Sequence, residues 1–145
     1  MRRVSSRERA SALMLMPAAV MVMIVLGSIA VDFAAVGLRA RELHNAAAAA
    51  ANDAAVAGLS PEGLRRGDTV IDPERARAVV RAGLSARGIE LDAPPVVDVD
   101  PDGRSVTVYL TLTQRYVFAS AIPGARHNVH LQARATAVAL TADGS

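Results

Sequence analysis

Apolar and polar positions divide this chain into three stretches with different periods. From Ala10 to Val31, "ASALMLMPAAVMVMIVLGSIAV", no residue carries a charge. That run is 22 residues long, and about 20 suffice for a helix to cross the hydrocarbon core of a bilayer. Beyond Asp32 the apolar residues recur every three or four positions, at Phe33, Val36, Ala40, Leu43, Ala47, Ala50, Ala54 and Ala57. This is one stripe of a helix, and Arg39, Arg41, Glu42 and Asp53 fall mostly off it. No Pro occurs between Pro17 and Pro61. The pattern predicts one nearly unbroken helix from about Ser11 to about Ala57, stopping near Gly58. At 1.5 Å per residue it is roughly 70 Å long.

The third stretch is mixed. Leu59 to Asp72, rich in Gly, Pro and charge, reads as a linker or loop. Asp72-Pro73-Glu74 opens a second helix, with an N-cap acid, a proline in the first turn and a carboxylate at the positive dipole end. Ala76, Val79, Val80, Gly83 and Leu84 form its apolar face, and Gly88 ends it. The period then falls to two. Val97 and Val99 alternate with Asp98 and Asp100, "PDGR" at 101–104 is a tight turn, and Val106, Val108, Leu110 and Leu112 share one face of the next strand. After a loop, "FASAIPGARHN", a last strand places Val129, Leu131, Ala133, Ala135 and Ala137 on one face. The expected fold class is α+β. A long N-terminal helix continues into a small head with one helix and a three- or four-stranded antiparallel sheet.

Charge assigns an orientation to this plan. All 16 basic residues are arginine, and four of them, Arg2, Arg3, Arg7 and Arg9, precede the apolar run. Residues 1–9 have a net charge of +3, whereas residues 32–145 have a net charge of −1. The basicity is thus a short tail and not a nucleic-acid-binding stripe, and no interleaved aromatics accompany it. Positive-inside bias places that tail in the cytoplasm and everything after Asp32 outside. The organisation expected is a cytoplasmic tail at 1–9, a transmembrane helix at 10–31, an alanine-rich extracytoplasmic helix at 32–59 and the head at 60–145. A cleavable signal peptide is the competing reading, with Ser28-Ile29-Ala30 as its small-x-small site. Asp32 is open to two readings as well, a plain stop to the apolar run or an acid placed at the interface for a role.

Six consecutive alanines, Ala46 to Ala51, lie on the outer part of the long helix. Alanine favours helix and lets another backbone approach closely. The stripe Phe33, Val36, Ala40, Leu43, Ala47, Ala50 and Ala54 therefore reads as a packing surface, for the chain's own head or for helices of other chains. Taken as a surface for partners, it implies that a bulky charge at Ala47 or Ala50 disrupts assembly without unfolding the head.

Reactive chemistry is sparse in the sequence. There is no Cys, so thiolate sites and disulfides are excluded. His127 and His130 stand three apart at a strand start, an offset that points them to opposite faces. Asp98, Asp100 and Asp102 alternate like a calcium loop, but the twelfth position holds Tyr109 where a bidentate Glu is needed. No nucleophile elbow or phosphate loop is present. The expectation is no enzyme, no metal and no cofactor.

The N-terminal third resembles the TadE/TadG-like proteins of tight-adherence (Flp) pilus systems. Ala30-Val31-Asp32 is similar to the family's exit from the apolar span, and Arg41, Leu43, Asn45, Ala46, Ala47 and Gly58 are similar to its alanine-rich run. The resemblance covers roughly the first 60 residues well and the rest loosely. It implies a single-pass component of the bacterial inner membrane, pseudopilin-like, with pilin-like proteins and the pilus platform as partners. Self-association through the helices is a further option. One departure matters. The TadE type has a prepilin-peptidase site with Glu at the fifth mature position. Cleavage after Ala10 would place Leu15 there, and cleavage after Arg9 would place Met14. The span holds no Glu, which points to an uncleaved anchor. The rival is a secreted or anchored small binding module whose head folds alone from about Ser60.

Overall fold

The computed structural model describes residues 6–121 and 124–139, with side-chain surroundings for 15–120 and 124–139. Arg2 and Arg3 lie outside the described residues, and Arg7 and Arg9 are described only as helix backbone. The first helix, α1, runs without a break from Ser6 to Ala57 and carries Pro17 inside it. Its 52 residues span about 78 Å at the α-helical rise. A short α2 (Pro61–Arg66) and the 14-residue α3 (Pro73–Ala86) follow. Three strands complete the head, β1 (Val96–Val99), β2 (Ser105–Arg115) and β3 (Asn128–Val138). They form one antiparallel sheet in the order β1-β2-β3. The chain is thus α+β, with a long apolar N-terminal helix and a three-stranded sheet among the described residues.

The helix starts follow local chemistry. Asp72 is the N-cap of α3, its carboxylate accepting from the amides of Glu74 at 2.9 Å and Arg75 at 3.3 Å. The same Xaa-Pro-Glu signal occurs at Ser60-Pro61-Glu62, and there Ser60 Oγ accepts from Gly63 N at 3.2 Å. The stretch expected to be a plain loop therefore contains α2, ended by Gly67 in the left-handed region at φ 82°. Its six residues are too short for a hydrophobic period to reveal, so only the cap marks it. The segment is closed on itself by one backbone bond and tied back to the fold by two. Ser60 N donates to Val70 O, Ile71 N to Gly103 O and Asp72 N to Gly58 O, all at 2.8–2.9 Å. Gly103, at φ 69°, is required here, because a Cβ would strike the Val70 side chain.

The core is built from small pieces. The covered side of α1 contributes Leu43, Ala46, Ala47, Ala50, Ala51, Ala54 and Ala55. It lies against β3 and β2, with α3 alongside. α3 adds Ala76, Val80 and Leu84, and the sheet adds Val97, Val106, Val108, Leu110, Ala133 and Ala137. Register pairs large with small: Val106 faces Ala137, Val108 faces Ala135 and Leu110 faces Ala133. The strand that meets the alanine helix is itself alanine-rich, so helix and sheet approach closely. The outer sheet face is polar, with Thr107 bonded to Thr136 at 2.9 Å and Arg134 5.4 Å over the Tyr109 ring. At the far end of α1, Arg75 Nε donates to Ala57 O at 2.8 Å, capping an orphan carbonyl.

Burial of the alanines corrects one expectation. Ala47 is 0% exposed and Ala50 1%, so they are core residues of this chain's own head. A charge there is buried without a partner, and the head itself unfolds. We expect Ala50→Arg to cost upward of about 3 kcal/mol, read as a lost cooperative thermal transition by circular dichroism. The same wall means that a chain beginning at Ser60 stays unfolded, whereas one beginning at Asp32 melts cooperatively.

Candidate functional site

At the end of β2 the chain turns through "YVFASA", Tyr116 to Ala121. Tyr116 N donates to His127 O at 2.9 Å, which closes the end of the β2–β3 hairpin. The next three amides are left without backbone acceptors in the sheet, and a 3-10 turn at Ala119–Ala121 follows. Such a turn start exposes consecutive N–H groups, a natural seat for an anion. Asp32 fills it from 85 residues away. Its Oδ1 accepts from Val117 N at 2.7 Å and Phe118 N at 3.0 Å, and its Oδ2 from Ala119 N at 2.8 Å and Phe118 N at 3.2 Å. Ser120 Oγ donates to Val117 O at 3.0 Å and braces the turn.

Asp32 is 6% exposed, the one buried charged side chain among the described residues. It is the first residue beyond the uncharged run. Burial by itself pushes its carboxyl pKa up, because the charged form loses water. The amides of Phe118, Ala119 and Val117 stabilise that charged form and hold the pKa below the ordinary carboxylate range. The arrangement joins the helix, at the end of its apolar run, to the tip of the sheet. Of the two readings of Asp32, the geometry gives it a structural role beyond ending the run.

The remaining stripe residues divide along the helix. Leu43, Ala47, Ala50 and Ala54 are buried under the head, Val36 is half-buried, and Phe33 and Ala40 are exposed. Phe33 is one residue, about 100° of helix, off the Asp32 side. Ala40 is exposed, between the paired Arg39 and Glu42 in sequence. Ala46, Ala51 and Ala55, which the single-stripe reading omits, are also buried. A helix wedged between a sheet and α3 is covered over more than one stripe. Sequence spacing already contains the Asp32 signal: Asp32, Val36, Leu43, Ala47, Ala50 and Ala54 recur at intervals of four, seven, four, three and four. An acid on the buried side of a helix needs a donor, and here the donors are main-chain amides that no side-chain pattern announces.

Elsewhere among the described residues the polar side chains are exposed or half-buried. His130 Nδ1 lies 2.8 Å from Thr113 Oγ1, which also bonds the Asp92 carboxylate. Asp102 accepts from Arg104 N at 2.8 Å within its turn. Among the described residues no three His, Asp or Glu side chains converge as a metal site would need.

The clamp predicts a local phenotype. In Asp32→Asn one of the two acceptor oxygens becomes a donor facing amides. We expect the Val117, Phe118 and Ala119 amides to exchange about tenfold faster while Leu110 and Ala133 stay protected. The native pKa is depressed, so the carboxylate's contribution is present in full above the ordinary carboxylate range. It is lost as pH falls through the lowered pKa. Acid titration followed by the same three amide resonances checks this, and their shifts should move together below the usual carboxylate midpoint.

Comparison with known proteins adds no relative: no protein-family model, curated protein or solved structure matches the chain.

Proposed function

We propose that this chain is a non-enzymatic, single-pass membrane protein of the tight-adherence (Flp) type of pilus assembly machinery, pseudopilin-like, with its head outside the inner membrane. One observation carries the membrane part of the reading, a single helix that changes partner halfway along; the pilus part rests on the resemblance of residues 7–59. Among the described residues it is the one helix long and apolar enough to cross a membrane. Leu15, Met16, Val20 to Leu26, Ile29 and Val31 are all exposed, whereas from Leu43 the same helix is the wall of the head. A bare apolar stretch of this length is unstable in water and stable in lipid or against other apolar helices. The head holds the rest of the helix upright at that boundary.

The contact surface for partners shifts with this geometry. Ala46, Ala47, Ala50, Ala51, Ala54 and Ala55 serve the chain's own core, so helices of pilin-like partners would meet the exposed residues between Leu15 and Leu38. Small residues there, Ala18, Ala19, Gly27, Ser28, Ala30, Ala34 and Gly37, suit close helix approach in a bilayer. Gly27 and Gly37 have open space where a Cβ would stand.

The intact mass of protein recovered from washed membranes tests the reading. Full length, less at most the initiator Met, is the expected result. Loss of about ten residues would mean prepilin-type processing and a filament subunit, which fits the machinery but not the uncleaved anchor. Loss of about thirty residues, with the protein soluble outside the cell, would establish a signal peptide and a secreted module.

A further inference from the structure

The Asp32 clamp fixes the height of the β2–β3 loop as well as its position. Counting from Ala10, the uncharged run rises about 33 Å, close to the roughly 30 Å of a hydrocarbon core. Asp32 therefore stands at the level of the lipid headgroups on the head side. Three loop amides lie within 3.2 Å of its carboxylate, so the loop backbone is at that same level. What the loop presents there is apolar: Val117 is 58% exposed and Phe118 44%. Phe33, next to Asp32 on the helix, is 70% exposed. Arg115 and Arg126, both exposed, flank the loop on its two sides.

We propose that the loop at 116–121 is a second membrane contact, a foot that seats Val117 and Phe118 in the interfacial zone of the same bilayer that α1 crosses. The occupant of this apolar patch is lipid, because the patch is continuous with the lipid-facing surface of α1 and hydrogen-bonded to the residue where that surface ends. An exposed Phe or Val at that depth buries its apolar surface at the boundary of headgroups and acyl chains. Arg115 and Arg126 are placed to extend their guanidinium groups to phosphates while their stems cover apolar surface. Phe33 joins Phe118 in that zone from the helix side. The head is thereby held at two points, through α1 and through the loop, and cannot swing about the helix exit.

The inference rests on the membrane-anchored reading, and the experiment separates the two. The chain has no Trp, so single reporters can be placed at Phe118→Trp, Val117→Trp and, within the span, Ile24→Trp. Each full-length variant is reconstituted into vesicles of phosphatidylcholine and phosphatidylglycerol whose acyl chains are brominated near the headgroup or near the methyl end. The expected result is about twofold quenching at 118 and 117 by the shallow label, with less by the deep one, and the reverse order at 24. Quenching at 24 with none at 117 or 118 would overturn the foot and leave the anchor standing, whether those two reporters emit as in water or as packed against protein. No quenching at any of the three would overturn the anchor and the foot with it.

Discussion

Because α1 advances about 100° per residue without interruption, the side of it that meets the head is decided along its whole length at once. Asp32 and Ala50 are 18 residues apart, about five full turns, and therefore lie on the same side. The carboxylate that receives the 117–119 amides and the alanines that meet the sheet cannot be rotated independently. A break or a bend between them would cost one or the other. The sheet complies with this demand at both ends: its inner face meets the alanines, and the tip of its longest hairpin reaches Asp32.

Alanine is the means by which that single helix can be the wall of the head. Larger side chains on the covered side would bury more area, but they would hold the sheet away and leave the Asp32 loop out of reach. The core instead gains from closeness, with Ala133 and Ala137 on β3 facing an alanine surface, and Val106, Val108 and Leu110 filling behind. Its few large members, such as Leu43, Ile71 and Leu110, are fully enclosed. A core of this kind tolerates little added volume, since the close packing has no slack to absorb it.

Much of this was legible in the residues. The continuous helix followed from a long uncharged run merging into a three-four spacing with no proline to stop it. The start of α3 was written in Asp72-Pro73-Glu74, and the two long strands in a strict alternation. α2 escaped because six residues offer no period, although Ser60-Pro61-Glu62 repeats the α3 cap signal. The surface role of the stripe was legible only in part. Spacing locates a side of a helix, but Phe33 and Ala40 have no head above them and Ala47 and Ala50 do. The Asp32 site was the least legible. Its partners are main-chain amides of residues 117–119, which carry no side-chain signature and come together with Asp32 only through the tertiary fold.

The central claim is that one straight helix both forms the wall of the head and continues as its apolar shaft. The most direct test is the distance between two spin labels on either side of Asp32, at Ile24→Cys and Asn52→Cys, in a chain that has no other Cys. Both positions are exposed. In lipid nanodiscs the account predicts one narrow distribution centred at about 42 Å, the rise of an unbroken helix over that interval. A broad distribution, or a maximum below about 35 Å, would mean that the helix bends or breaks where it leaves the apolar run. The shared register of Asp32 and the alanines would then be an accident of a single conformation.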